Sequence, residues 1–246
     1  MAVENDADEI GWRSVDGVAK YPTSCPGLTR ASKQRYSKSC SYDLTFAAPL
    51  DDSEYAVTSM TSEQPIHHHV FDTAIGPCGV AWSARGLVGV QLPEQDRAAT
   101  ERRLAAKVGS AGAAEPPAAV QALIADIRRY CAGERIDFSA VPVDLAGVDD
   151  FRLKLYAALR AIGFGRTTTY GALAKEIGLA DPEAAREVGT AMGRNPVPIV
   201  IPCHRVLAAG GKLGGFSAHG GAATKEKLLA IEGVRFDGGA PRLPGL

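Results

Sequence analysis

The run NPVPIVIPCHRV, residues 195–206, contains three prolines in the seven positions from Pro196 to Pro202. Because proline fixes φ and has no backbone N–H, this run cannot form a helix, and we expect it to follow an extended path. The apolar residues between the prolines predict that the path is buried. Cys203 and His204 come directly after it, so we expect a thiol and an imidazole to be held rigidly at its end.

A thiol becomes a strong nucleophile only when it loses its proton, and a nearby imidazole can lower its pKa or accept that proton. Cys203 and His204 therefore form a candidate catalytic pair. Sequence neighbours need not touch, however, and a buried structural thiol is the alternative interpretation. A polar Cys-His-Arg triplet inside an apolar, proline-rich segment favours a site, because buried polar groups require hydrogen-bond partners.

Two short helices are predicted just before this run. A threonine at 167–169 can cap a helix from Tyr170 to Ile177, which stops at a glycine. Asp181 is a favourable N-cap, and Pro182 suits the first position of a helix that continues to about Met192. Such a pair, joined by a tight turn, is typical of the helix-turn-helix, although most short helix pairs serve only packing.

The preceding half of the chain predicts an antiparallel meander followed by two helices. Apolar runs and turn-forming glycines indicate three strands, at residues 70–74, 80–83 and 87–92, with turns at 76–79 and 85–86. Apolar residues at helical spacing predict the helices, at about 95–108 and 117–131. We expect residues 141–143 to lie extended against the sheet, and a helix over about 151–162, capped by Asp149 or Asp150, to open a second domain.

This pattern divides the chain into four segments. Residues 1–66 lack sustained periodicity and are expected to be a disordered extension. An N-terminal α/β domain over 67–148 and a C-terminal, mostly helical domain over 149–238 follow, and residues 239–246 are expected to be a flexible tail. The fold class is therefore α/β, in the α+β sense: a three-stranded antiparallel sheet with helices, and a helical domain with a helix-turn-helix.

The composition fits a soluble, intracellular protein. Hydrophobic residues make up 46% of the chain and charged residues 22%, which are ordinary values. No apolar run approaches the length of a membrane-spanning helix, and no secretory signal pattern is present, so we expect no membrane partner and a cytoplasmic location, or a nuclear one in a eukaryote. The five cysteines include no CxxC pair, which argues against a disulfide framework or a four-cysteine zinc site.

Charge is unevenly distributed along the chain. Residues 151–236 carry twelve Lys and Arg against six Asp and Glu, a net +6, which leaves −7 for the remainder of a chain whose total is −1. A basic C-terminal half is compatible with a polyanionic partner, although a mixed solvated surface gives the same count. The adjacent histidines at 67–69 could bind metal, but on a strand they point in different directions, so we expect a solvated run.

The run at 195–206 and its surroundings resemble the O6-alkylguanine-DNA alkyltransferases, also called methylated-DNA–protein-cysteine methyltransferases. The similarity is strong over about residues 151–236 and is one of layout only over 70–150. It implies an RNase H-like first domain and a winged-helix-like second domain. Besides the quoted run, it rests on Ala184-Ala185-Arg186, Val188-Gly189, Gly214–Ser217, Gly220-Gly221, Thr224-Lys225, Leu228-Leu229 and Glu232-Gly233.

The resemblance implies a role for each residue of the site. Cys203 would be the nucleophile that accepts the alkyl group, His204 would act as its base through a water molecule, and Glu232 would orient and stabilise His204. Tyr170 would donate a proton to the departing guanine, and Asn195 would tie together the turns at the active site. The implied substrate pocket consists of Met192, Val206, Phe216 and Ser217, with Ser217 placed to hydrogen-bond the guanine oxygen.

The implied partner is double-stranded DNA whose alkylated guanine is flipped out, because the alkyl carbon is inaccessible inside the duplex. Arg186 would fill the vacated position, and the small residues Ala184, Ala185 and Gly189 would let the second helix approach the minor groove. Thr169 is a further candidate for DNA contact. We expect the protein to act as a monomer, without a metal or other cofactor.

The sequence thus predicts direct-reversal DNA repair by one irreversible transfer of an alkyl group, such as methyl, from O6-alkylguanine to Cys203, with O4-alkylthymine as a second candidate substrate. Transfer ends there, since no residue is available to free the S-alkylcysteine. One alternative is a catalytically silent sensor of alkylated DNA, which would need no reactive cysteine. The other is a thiol hydrolase, in which the helix pair would have no purpose.

Three departures from the family pattern bear on this prediction. Glu187 follows the implied finger where the family commonly has a small residue, and its carboxylate would repel phosphates. Phe216 replaces a tyrosine often seen in relatives, which removes one possible hydrogen bond to the base. Neither the zinc ligands that some relatives carry in the first domain nor their cysteine-rich phosphotriester-repair module has a counterpart, so a regulatory role is not supported.

Overall fold

An antiparallel sheet forms the N-terminal part of the protein, whose computed structural model describes residues 65–179, 181, 183–237 and 240–242. The predicted extension over residues 1–66 lies outside the described residues except for its last two positions. The predicted meander is confirmed, and a fourth strand of two residues is an addition too short to leave a periodic pattern. The sheet has the order β3-β2-β1-β4, in which β1 (His67–Thr73), β2 (Gly76–Ser83) and β3 (Gly86–Gln91) are antiparallel and β4 (Gly112–Ala113) is parallel to β1.

The first hairpin turns earlier than predicted. The Thr73 hydroxyl donates to the Gly76 carbonyl at 2.7 Å and accepts from the Ile75 N–H at 3.3 Å, so the turn closes over residues 74–75. Residues 76–79, predicted as a turn, therefore begin β2. The prediction was wrong here because a threonine side chain closes the turn before the glycine and proline are reached.

The histidine run at 67–69 belongs to β1 and is not a solvated run, contrary to expectation. His68 is buried, and its Nδ1 lies 2.7 Å from the Ser110 hydroxyl oxygen, while its Nε2 lies 3.4 Å from a carboxylate oxygen of Glu101. Side chains alternate across a strand, so His68 points inward between two half-buried neighbours. Within the described residues, no cluster of metal-binding side chains occurs.

Two helices, α1 (Arg97–Val108) and α2 (Ala118–Cys131), pack against this sheet. Asp96 caps α1 by accepting from the Ala99 N–H at 2.7 Å. The apolar stripe predicted on α2 is confirmed, because all five of its members are buried: Val120, Leu123, Ile124, Ile127 and Tyr130.

The segment predicted to run beside the sheet does so. Val143 pairs in parallel with Leu87 at the start of β3. The Leu87 N–H donates to the Pro142 carbonyl at 3.0 Å, and the Asp144 N–H donates to the Leu87 carbonyl at 2.9 Å. These bonds satisfy the outer edge of β3, which would otherwise be exposed as an unpaired strand edge.

Helices dominate the C-terminal part, as predicted. The predicted helix pair corresponds to α4 and α5, which pack against each other. One hydrophobic core passes through both parts of the protein, and it includes Leu87, Ile127 and Leu155. No helix in the described part of the chain is long and apolar enough to cross a membrane. The elements are α3 (Asp150–Ala161), β5 (Thr168–Thr169), α4 (Tyr170–Glu176), α5 (Ala184–Met192), β6 (Val206–Leu207), α6 (Ala222–Ile231), β7 (Arg235–Asp237) and β8 (Ala240–Arg242), with β5 parallel to β6 and β7 antiparallel to β8.

A side-chain cap fixes where α3 begins, whereas α5 begins without one. Asp149, and not Asp150, caps α3 by accepting from the Arg152 N–H at 2.8 Å. Asp181 accepts from the Glu183 N–H at 2.7 Å, yet α5 starts only after that residue, two positions later than predicted. Asp181 therefore shapes the turn before the helix rather than its first hydrogen-bonded turn, and the predicted Pro182 start lies outside the described residues.

The close contact between β3 and the 141–143 segment predicts an asymmetry between two glycines. Gly86 and Gly112 have φ values of +144° and +152°, which strain any other residue, but only at Gly86 would a Cβ meet backbone, 2.7 Å from the Pro142 carbonyl oxygen. We expect Gly86→Ala to lower the free energy of unfolding by at least about 1 kcal/mol more than Gly112→Ala. Urea unfolding followed by circular dichroism measures both, and equal losses would contradict the packing described.

Candidate active site

The proline-rich run at 195–206 folds as a series of turns. The Ile201 N–H donates to the Val197 carbonyl at 2.9 Å, and the Cys203 N–H donates to the Ile201 carbonyl at 2.8 Å. Ile199 has a φ of +73°, a left-handed conformation that is rare for a β-branched residue. The predicted extended path was therefore wrong, although the prolines do exclude an α-helix and the apolar residues between them are buried as predicted.

Asn195 supplies the bonds that make this path turn. Its side-chain oxygen accepts from the Val197 N–H at 3.0 Å, and its Nδ2 donates to the Ile201 carbonyl at 2.7 Å. The same Nδ2 lies 3.2 Å from Cys203 Sγ as a donor. One buried amide therefore ties the turns together, as the resemblance implied for Asn195, and it also contacts the thiol.

Cys203 opens a short 3₁₀ turn, Cys203–Arg205, and is only 7% exposed. Burial raises the pKa of its thiol, and the hydrogen bond from Asn195 and the charge of Lys225 only partly oppose that effect. The thiol therefore keeps its proton near neutral pH. A nucleophilic role consequently requires a base at this site.

His204 is fully buried, and its Nε2 lies 2.8 Å from Glu232 Oε1. Burial lowers the pKa of the imidazole, while Glu232 acts in the opposite direction. Neutral imidazole is thus the resting form. The other ring nitrogen, Nδ1, has no hydrogen-bond partner among the described residues, so it is the atom available to accept a proton.

Glu232 is held by donors from several segments. Arg205 Nε lies 3.1 Å and 3.0 Å from its two carboxylate oxygens, Arg205 Nη2 lies 2.9 Å from Oε1, and the Gly165 N–H donates to Oε2 at 2.9 Å. Burial would raise the pKa of this carboxyl, but hydrogen bonds and charges from His204 and Arg205 outweigh it and lower the pKa to about 2. Glu232 therefore stays ionised beside His204.

Three residues of the site were not assigned roles from the sequence. Arg205 bonds Glu232 and donates to the Ile162 carbonyl. Tyr130, on α2, donates to Glu232 Oε1 at 2.8 Å. Lys225 is buried, donates to the Val206 carbonyl at 2.5 Å and lies 5.6 Å from the centre of the Tyr170 ring; burial lowers its pKa to about 8.

The signals for these residues differ in strength. Arg205 stood inside the quoted triplet, and Lys225 within the family resemblance, so both could have been added to the site. Tyr130 could not, because it occupies an apolar position of the α2 stripe, where an ordinary core residue gives the same pattern.

Two cavities open at Cys203. The first, of about 360 Å³, is lined by Tyr170, Gly189, Met192, Gly193, Cys203, Gly215, Phe216 and Ser217. The second, of about 400 Å³, lies toward the N-terminal part and includes Gln91, Lys107, Arg194 and Pro198 as well as Cys203 and Phe216. Three of the four predicted pocket residues thus line the first cavity. The fourth, Val206, lines neither of these cavities, because its side chain is fully buried in β6.

Tyr170 lies at the N-terminus of α4, beside Gly189 of α5. A Cβ on that glycine would lie 3.6 Å from the Tyr170 ring, an ordinary van der Waals contact, so the two residues are close neighbours. The Tyr170 hydroxyl donates to the Gly215 carbonyl at 3.4 Å, and burial raises the pKa of its phenol. Thr169 caps α4 by accepting from the Ala172 N–H at 3.2 Å.

The residues predicted to face DNA on α5 are not all on its surface. Arg186 is exposed and lies 2.7 Å from a carboxylate oxygen of Glu183, and Glu187 is also exposed. Ala185 is half-buried. Ala184, however, is buried, so its side chain faces the core and cannot contact DNA as predicted; a helix of this pitch turns position 184 away from position 186.

Comparisons with known proteins agree with this site. The family model described as 6-O-methylguanine DNA methyltransferase, ribonuclease-like domain, matches residues 66–145, and the DNA binding domain of the same family matches residues 150–234. The methylated-DNA–protein-cysteine methyltransferase of Mycobacterium tuberculosis is 36% identical over 170 residues, which cover 69% of this chain and 94% of that protein. The mouse protein of the same name is 37% identical over 186 residues, covering 73% and 86%.

A solved structure gives the same result. The crystal structure of Mycobacterium tuberculosis OGT in complex with DNA matches with a TM-score of 0.53 and 35% identity, covering 68% of this chain and 92% of that one. The residues matched by the two family models include both parts of the fold and the run that contains Cys203. The chain therefore belongs to the 6-O-methylguanine DNA methyltransferase family.

Proposed function

We propose that this protein repairs alkylated DNA by moving the alkyl group of an O6-alkylguanine onto Cys203, as a methylated-DNA–protein-cysteine methyltransferase. The observation that carries the proposal is a buried Cys203 at a cavity, next to a neutral His204 whose far nitrogen bonds an ionised Glu232. The family supports the same chemistry.

The first step removes the thiol proton. His204 Nδ1 takes the proton from Cys203, through a water molecule, and Glu232 stabilises the imidazolium that results. The thiolate that remains is stabilised by the Asn195 Nδ2 donor and by the nearby charge of Lys225. A thiol whose pKa is raised needs both a base to remove its proton and groups that stabilise the thiolate.

The second step is a displacement at the alkyl carbon. Cys203 Sγ forms a bond to that carbon while its bond to the guanine O6 breaks, and the electron pair leaves with the guanine. Tyr170, which lines the cavity and remains protonated, donates a proton to the departing base. The product is S-alkylcysteine, and among the described residues no group at the site is placed to remove the alkyl group, so we expect each molecule to act once.

The base must leave the duplex to reach the cavity, and α5 is the element that we propose enters the minor groove. Arg186 would fill the gap in the base stack. It must first leave Glu183, but an ion pair this exposed is worth no more than about 1 kcal/mol. A silent DNA-damage sensor is not favoured, because Cys203 is present together with a base.

We further propose that the chain is divided into domains at 67–148 and 149–238, that it acts as a monomer, and that it works inside the cell. The basic charge of residues 151–236 supports DNA as the partner.

The transfer itself predicts a stoichiometric mass change. After incubation with a duplex that contains one O6-methylguanine, the protein should gain one methyl group in place of a hydrogen, and peptide mass spectrometry should locate it on Cys203. Cys203→Ala should gain nothing, whereas Cys78→Ala, which removes a buried thiol of β2 far along the chain, should react like the wild type. An unchanged wild-type mass at saturating DNA would refute the function.

The pKa shifts predict how the rate depends on pH. Wild-type transfer should slow as pH falls through the pKa of His204, which burial places below its usual value of about 6.5. His204→Gln should be slowest relative to wild type near neutral pH, and its deficit should shrink as the pH rises into the alkaline range, because hydroxide then deprotonates Cys203 without help from the imidazole. Single-turnover rates give the ratio of the His204→Gln rate to the wild-type rate at each pH. A ratio that stays constant with pH would rule out the role of His204 as a base.

Two exposed residues of α5 predict opposite effects on duplex DNA. Arg186→Ala should slow transfer from the duplex by on the order of tenfold but leave transfer from the free modified nucleoside unchanged, because the nucleoside needs no flipping. Glu187→Gln should tighten duplex binding several-fold at low salt, and less at high salt, because it removes a negative charge facing phosphates. Equal effects of Arg186→Ala on both substrates would contradict the finger role.

A further inference from the structure

Tyr130 belongs to α2, in the N-terminal part, yet its hydroxyl lies against the proposed catalytic residues of the C-terminal part. It donates to Glu232 Oε1 at 2.8 Å and lies 3.2 Å from His204 Nε2. The side chain is fully buried. Its ring is fixed edge-on by Phe138 and Phe164, at centroid separations of 5.7 Å and 6.1 Å, so the hydroxyl is held in one direction.

Packing alone does not require this hydroxyl. The position lies on the apolar stripe of α2, where phenylalanine would fill the same volume. A buried hydroxyl costs free energy unless it is hydrogen-bonded, and among the described residues this one bonds only His204 and Glu232. The polar atom is therefore directed at the catalytic pair.

We propose that Tyr130 is a positioning residue of alkyl transfer, whose hydroxyl fixes the Glu232 carboxylate beside His204 and takes up part of that carboxylate's hydrogen-bonding capacity. The inference rests on the proposed function, since it gives Tyr130 a part in that same reaction. It also gives the N-terminal part of the protein a direct connection to the chemistry.

Three donors share Oε1 of Glu232, and this sharing determines in which direction Tyr130 changes the basicity of His204. Oε1 of Glu232 accepts from Tyr130, His204 and Arg205, so each donor reduces the negative charge that the others meet. When His204 accepts a proton, its imidazolium depends on that oxygen. Tyr130 therefore keeps His204 less basic than Glu232 alone would make it, while it holds the carboxylate in line.

The other titratable and charged groups around His204 and Glu232 are the same in the wild type and in a variant at position 130. Arg205 and Lys225 both face His204 and lower its pKa, and the Cys203 thiol lies next in the chain. Burial, followed by the charge of Glu232, raises the pKa of the Tyr130 phenol well above its usual value, so it stays a neutral donor throughout the working range. A change at position 130 consequently reports on the Tyr130 hydroxyl, through its contacts with Glu232 and His204.

The test compares Tyr130→Phe with wild type over a range of pH. The variant loses one donor to Glu232, so we expect the acidic limb of the single-turnover rate to move to higher pH by about half a unit to one unit. The plateau rate should also fall several-fold as the carboxylate loses its orientation. Titration of the His204 ring by NMR, in protein labelled in histidine, should show the same shift without any turnover.

Tyr156→Phe is the matched control. Tyr156 is also buried, but its hydroxyl donates to the Ala191 carbonyl at 3.4 Å and makes no hydrogen bond to His204 or Glu232. The same atom is removed from the core, and the acidic limb should stay where it is. A second variant carries 3-fluorotyrosine at position 130, which keeps the hydroxyl and makes it a stronger donor, so its limb should move to lower pH.

Opposite shifts for the phenylalanine and fluorotyrosine variants, with Tyr156→Phe unmoved, support the positioning role. An acidic limb that coincides with wild type in both variants at position 130 overturns it, whatever happens to the plateau rate or the thermal stability. Wild-type transfer in the same assay separates the two proposals, because its absence would refute the proposed function rather than the role of Tyr130.

Discussion

The buried carboxylate of Glu232 is the constraint on which the rest of the site depends. An ionised carboxylate inside a protein is costly unless its oxygens are saturated with donors. Glu232 obtains them from α2, from the connection after α3 and from the turn that follows the proline-rich run, through Tyr130, Gly165 and the pair His204 and Arg205. Satisfying the charge of Glu232 thus brings three distant segments to one point.

The same burial sets the resting protonation of the reactive pair. It raises the pKa of the Cys203 thiol and lowers that of the His204 imidazole, so both groups are neutral in the resting site. A permanent thiolate–imidazolium pair would be prone to oxidation and to side reactions. A neutral pair held next to Glu232 and Asn195 avoids a permanent thiolate.

The structure joins His204 and Glu232, as the resemblance implied, and both residues lie with Cys203 in short, specific motifs. The path of the backbone was less predictable. Prolines at 196, 198 and 202 exclude an α-helix but do not choose between a strand and a series of turns, and here the Asn195 side chain decides. The same limit applies to the first hairpin, where the Thr73 hydroxyl closes the turn. Both outcomes rest on single side-chain bonds that hydrophobic periodicity does not register.

Burial was the other source of error. Helical spacing correctly predicted which face of α2 is apolar, but it could not separate Tyr130 from its aliphatic neighbours, because what distinguishes that residue is a partner far along the chain. On α5, the position of Ala184 beside an exposed Arg186 suggested a common surface, whereas the helical pitch directs the alanine into the core. The sequence indicates residue types and hydrophobic periodicity. The partners of a side chain that lie far along the chain follow only from the assembled fold.

The contact between Tyr130 and Glu232 joins residues 102 positions apart. Closing so long a loop is slow and costs chain entropy. Contacts in the core offset that cost only when both parts of the core have formed. The contacts of Glu232 with His204, 28 positions away, close a much shorter loop. Because the shorter loop closes at the lower entropic cost, we expect His204 and Glu232 to pair first and the Tyr130 hydroxyl to complete the arrangement last.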